Sequence, residues 1–132
     1  MKGWKQSANG TWSLTAHGRS ISLPPDFELD SEAEGTIGFT GVTADREMSW
    51  IIYERTPLQE IINTKLSSPD HKVLSNRTVE DLNVIEIAPT TPSGRAQAKV
   101  RIHIIELADD TSLVVVGGGT AFVYSLARQW AA

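Results

Sequence analysis

Cysteine is absent from the 132 residues, which removes disulfides, thiolate nucleophiles and every cysteine-ligated metal site, and leaves the redox compartment open. Histidine is scarce: His17, His71 and His103 stand far apart, and none has the i, i+4 partner of a helical metal site. No metal and no cofactor is expected. Long apolar runs are missing as well. The longest, at 102–105 and 114–116, fall well short of the roughly 20 residues that span a bilayer, so no integral membrane segment is predicted. Residues 1–10 carry two lysines with no apolar stretch behind them, which predicts a cytoplasmic protein or a mature periplasmic or lumenal domain without its leader. Excess positive charge is lacking too. Sixteen acidic residues against 12 basic give a net charge of −4, a field that repels a phosphate backbone and argues against a nucleic-acid partner.

What is present suits one domain over 1–132, with 1–10 as a flexible amino-terminal extension, since hydrophobic residues make up 40% of the chain. Nine valines and eleven isoleucines favour a sheet over a helical bundle. Residues 12–15 and 20–23 read as a hairpin around Ala16-His17-Gly18-Arg19, and 36–40 with 48–53 as a second hairpin around Thr43-Ala44-Asp45-Arg46. The second places Trp50 and Ile52 on one face, Ile51 and Tyr53 on the other. At Thr56-Pro57-Leu58-Gln59 the period changes to that of a capped helix over 57–67, with Leu58, Ile61, Ile62 and Leu66 as its buried stripe. Two strands, 72–79 and 82–87, turn at Glu80-Asp81, and a loop follows over 89–94. Residues 98–107 form the clearest strand, with Arg101, His103 and Ile105 on one face. It turns at 108–111 into the continuously apolar 112–116, which should be central. Gly117-Gly118-Gly119 bends the chain into a closing helix capped by Thr120, whose stripe is Phe122, Val123, Leu126 and Trp130. The expected class is α+β, an antiparallel sheet of six or seven strands covered by two main helices.

Few motifs carry chemistry. The glycine run lacks the lysine and hydroxyl of a phosphate loop, and no serine sits in a Gly-x-Ser-x-Gly elbow. Asp26, Glu28, Asp30, Glu32 and Glu34 alternate, which would put five carboxylates on one strand face, as a cation site or as a charged edge that blocks strand pairing. Of the four tryptophans, Trp50 and Trp130 are expected in the core. Trp4 and Trp12 either anchor a partner or pack on the closing helix.

The run Ile21-Ser-Leu-Pro-Pro-Asp-Phe, an aromatic hairpin, the helix over 57–67, Val73-Leu-Ser-Asn-Arg-Thr-Val, Asp81-Leu-Asn-Val-Ile-Glu-Ile and the terminal helix together resemble the PsbP-like superfamily, which includes PsbP, the DcrB lipoproteins and the EagR chaperones. The resemblance implies an α/β/α sandwich and a non-enzymatic binding role. It supplies no catalytic residue, and the lipobox cysteine of the DcrB lipoproteins is missing.

The leading expectation is therefore an adaptor or chaperone-like module that binds a protein partner through the sheet face of Ile51, Tyr53, Arg101, His103 and Ile105, with Trp4 and Trp12 as further contacts. A homo-oligomer is compatible with this reading. One alternative is a small-ligand binder or enzyme using Arg101, His103 and Glu106 in a pocket, against which stands strand alternation, since Glu106 points away from the other two. The other is a structural subunit of a photosystem or secretion assembly.

Overall fold

The computed structural model describes residues 3–66, 71–89 and 101–132. Among these residues the chain forms β1 (Trp4–Gln6), β2 (Trp12–Ala16), β3 (Arg19–Ser22), β4 (Glu28–Ala33), β5 (Thr36–Val42), β6 (Met48–Glu54), α1 (Leu58–Leu66), β7 (His71–Val79), β8 (Leu82–Pro89), β9 (Ile102–Ala108), β10 (Thr111–Gly117) and α2 (Thr120–Ala131). The class is α+β. Strands β1-β2-β3 make a small sheet, and a seven-stranded sheet runs in the order β4-β5-β6-β10-β9-β8-β7, every pair antiparallel. The apolar run in β10 lies between β6 and β9, with Leu113, Val114 and Val115 buried. The expected loop residues 90–94, and residues 98–100 of the long strand, fall outside the described residues.

Local chemistry explains the turns. His17 and Gly18 both take left-handed backbone, at φ 55° and 73°, and this two-residue connection matches the twist of β2 and β3. At the end of β10, Gly117 has φ 76°, and a Cβ there would lie 2.6 Å from the carbonyl oxygen of Met48, so no larger residue fits the path out of the sheet. Gly119, with φ 82°, occupies the cap position of α2 without a side-chain hydrogen bond; Thr120, expected to cap, is the first helical residue.

Strand alternation gives the large sheet two apolar faces. On the first, Ile37, Phe39, Ile51, Tyr53, Ile105, Leu113 and Val115 are buried in one cluster with Trp4, Leu14 and Ile21 of the small sheet and Val123, Leu126 and Trp130 of α2. Gln129 of α2 ties that layer to β3, its Oε1 accepting from the Ser22 N–H at 3.0 Å while its Nε2 donates to the Ser22 carbonyl at 3.4 Å. The Trp130 indole N–H donates to the Leu107 carbonyl at 3.0 Å. On the second face Ile85, Ile87, Ile102, Ile104 and Val114 pack with Leu58, Ile61 and Ile62 of α1, and Ile52 and Val116 lie at the margin of this cluster. Ser112 fixes the entry to α1 by donating to the Thr56 carbonyl at 2.8 Å.

Several expectations change. Residues 4–6 are a paired strand with Trp4 buried, not part of an extension. The strand expected over 72–79 begins one residue earlier, at half-buried His71. The alternating carboxylates do not share a face, because β4 shifts register between Leu29 and Ser31 and Asp30 is the extra residue. Glu28, opposite Thr40, and Glu32, opposite Ile37, therefore point to opposite sides. No group of three or more His, Asp or Glu among the described residues is placed to hold a metal ion. No helix among them is long and apolar enough to cross a membrane.

Candidate functional site

Of the residues expected to meet a partner, Ile51, Tyr53, His103 and Ile105 are 0%, 5%, 2% and 0% exposed. The small sheet and α2 roof that face, so it offers no docking platform. Trp4 is buried against Phe39, ring centres 4.7 Å apart, and meets Tyr53 edge-on at 5.7 Å. Trp12 is half-buried and also packs on Phe39, with ring centres 5.3 Å apart. Both tryptophans join the small sheet to Phe39 of β5, and Trp4 also to Tyr53 of β6.

Arg101 and His103 do come together with a carboxylate, though not Glu106. The register sets Glu86 of β8 opposite His103 and Ser75 of β7 opposite Glu86. Glu86 Oε2 lies 3.4 Å from Arg101 Nε and 3.6 Å from His103 Nε2, while Oε1 accepts from the Ser75 hydroxyl at 3.4 Å. The histidine contact is too long for a hydrogen bond, and neither ring nitrogen has a hydrogen-bond partner among the described residues. Burial lowers the His103 pKa below the ordinary imidazole value; Glu86 opposes this shift and Arg101 adds to it. The result is a neutral ring sealed beneath a partly exposed ion pair. With side-chain exposures of 37% and 20%, the Arg101–Glu86 pair contributes about 1 kcal/mol at most. Glu106 lies on the opposite face, where it accepts from Asn83 Nδ2 at 3.0 Å.

Cavities open elsewhere. One of about 390 Å³ lies beside Thr15, His17, Tyr53, Arg55 and Asp110. Another, of about 420 Å³, lies beside Trp12, Pro25, Phe27 and Leu29. A smaller one of about 180 Å³, between α1 and β6, is lined by Glu54, Thr56, Glu60, Ile61 and Thr64. None of the three is lined by Arg101, His103 or Glu106. A general base needs access to a substrate proton, which a 2% exposed imidazole lacks.

Four large apolar side chains are exposed among the described residues, Leu29, Met48, Trp50 and Val73, and two of them, Met48 and Trp50, stand on the second face along β6. Trp50, expected in the core, is 43% exposed, and Met48 is 70% exposed. The register builds a row across this face from Glu28 through Thr40, Trp50 and Val116 to Ile102, and beside it a row from Ser31 through Gly38, Ile52 and Val114 to Ile104. The α1 cluster covers the β8, β9 and β10 ends of these rows and stops at Ile52 and Val116. Over β5, Gly38 and Thr40 present little bulk, and a Cβ on Gly38 would come within 3.3 Å of Trp50 Nε1, so the indole reaches across the glycine. Alternation alone located Trp50 and Ile52 on a common face. The missing signal was the reach of α1, nine residues that cover part of a seven-stranded sheet. No protein-family model matches the chain, and a search of curated proteins gives no match.

Proposed function

We propose that this protein is a non-enzymatic docking module, an adaptor or chaperone-like protein, built as a PsbP-like sandwich and using the half of the second sheet face that no described element covers. The observation that carries this reading is the exposure of Trp50 and Met48, at 43% and 70%, in continuity with half-buried Ile52 and Val116. A large aromatic and a flexible thioether side by side on a rigid sheet are the side chains that protein interfaces favour, and water contact leaves them unsatisfied. The enzyme reading has less to stand on, because the Arg101, Glu86 and His103 cluster engages its own groups and lacks an adjoining cavity among those described. A structural subunit anchored by Trp4 and Trp12 is also disfavoured, since both rings pack on Phe39.

The test is site-specific photo-crosslinking in native extract, with benzoyl-phenylalanine at position 50 and, as control, at exposed Ser20 on the small sheet. A discrete protein adduct is expected at 50, absent at 20 and lost when Met48→Asp is added. Identical patterns at the two positions, or an adduct indifferent to Met48→Asp, would remove the docking face.

A further inference from the structure

We propose that the occupant of this face is a basic amphipathic helix, laid beside α1 with its apolar stripe on Trp50, Met48, Ile52 and Val116 and its lysines or arginines toward Glu28, Glu54 and Glu60. This rests on the docking reading above. Three features of the surface select that chemistry.

The first is charge. Glu28 ends the row that contains Trp50, and Glu54 shares the same face of β6 as Trp50 and Ile52. Glu60, in the first turn of α1, lines with Glu54 the cavity between the helix and the sheet. Carboxylates thus border the apolar centre on the β4 side, along the β6 end and on the α1 side. Arg46 lies in the turn beyond Met48. A second copy docked through the same patch would set these carboxylates against each other, and an anionic bilayer or nucleic acid would be repelled for the same reason. A basic partner gains at every one of these positions.

The second is shape. Strands lie about 4.8 Å apart, so β4, β5 and β6 expose a strip of roughly 10–14 Å. One helix fills such a strip beside another at the usual interaxial distance of about 8–10 Å.

The third is the state of the large sheet's edges, which disfavours an added strand there. Edge strand β4 is bulged at Asp30 and carries Glu28, Asp30 and Glu32, and the other edge, β7, shifts register between Val73 and Ser75. The open surface is therefore a face and not an edge, and a sheet face is covered by a helix, as α1 covers its neighbouring half.

The experiment uses three synthetic peptides of roughly 18 residues, or five helical turns, with one leucine stripe and a polar face of lysine, glutamine or glutamate. Each is titrated calorimetrically into the full chain at about 20 mM and about 300 mM salt. The lysine peptide should bind best and weaken at the higher salt. Trp50→Ser and Met48→Asp should each weaken it about tenfold, as loss of a central anchor does. Combined Glu28→Gln, Glu54→Gln and Glu60→Gln should flatten its salt dependence. Met48→Asp serves as the second variant because its side chain is mostly in solvent and outside the core. Binding of the glutamine or glutamate peptide as tight as that of lysine, still dependent on Trp50, would overturn the basic helix and leave the docking reading intact. Peptide binding indifferent to Trp50→Ser and Met48→Asp would overturn both. Failure of all three peptides, with a dimer that Met48→Asp dissociates, would overturn the basic helix in favour of a second copy.

Discussion

Replacing His103 with leucine should stabilise the protein and remove part of its sensitivity to acid. The ring is 2% exposed, faces Val115 across β10 and has no hydrogen bond to either nitrogen among the described residues. An unsatisfied buried polar group costs roughly 1–3 kcal/mol. Repacking a residue of similar size costs less than about 1.5 kcal/mol. The net expectation at pH 8 is a gain of about 1 kcal/mol, or about 4 °C for a domain of this size. Glu86 keeps Arg101 and Ser75 in the variant. The pH dependence follows from burial, which holds the folded pKa below the unfolded value near 6.5, with Glu86 opposing and Arg101 reinforcing the shift. The folded state then binds fewer protons than the unfolded chain. Its associated stability is complete above about pH 6.5 and is lost as pH falls from there toward the folded pKa. Urea melts of both proteins from pH 8 to pH 5 measure the difference directly: the gap between variant and parent should widen on acidification. A variant less stable than the parent at pH 8 by more than about 1 kcal/mol, or a gap constant with pH, would refute the account of His103 as a neutral, unpaired ring.

Two further substitutions test the packing. Gly117→Ala places a Cβ 2.6 Å from the Met48 carbonyl oxygen in left-handed backbone, whereas Gly35→Ala has the same backbone sign with nothing within 4 Å. Equilibrium unfolding should show a loss of about 1 kcal/mol for Gly35→Ala, and of roughly 2–4 kcal/mol for Gly117→Ala, with equal losses arguing against the close approach. Trp130→Phe removes the hydrogen bond to the Leu107 carbonyl and some core volume, so a loss of about 2–3 kcal/mol is expected by the same measurement; a change under about 0.5 kcal/mol would show that the contact adds little.

Much of the fold was legible because the signals are local. Period-two alternation identified the strands around Trp50 and His103, the His17-Gly18 turn marked its hairpin, and the helical spacing of Leu58, Ile61 and Ile62 marked α1. The Asp30 bulge was not legible, since an extra residue in one strand is defined only against its partner. The pairing of Glu86 with Arg101 was equally hidden, because it depends on the register of β8 against β9.

The candidate site divides along the same line. The sequence by itself determined which side chains share a face, because the backbone forces alternation: Ile51 with Tyr53, Trp50 with Ile52, and Glu106 opposite His103. Only the tertiary structure decided which face meets water. Both faces are apolar enough to be covered, and coverage depends on where the chain carries its remaining elements: the small sheet and α2 over Ile51 and Ile105, and a nine-residue α1 that stops short of Trp50. Parity is a property of neighbouring residues, whereas burial belongs to elements distant in the chain.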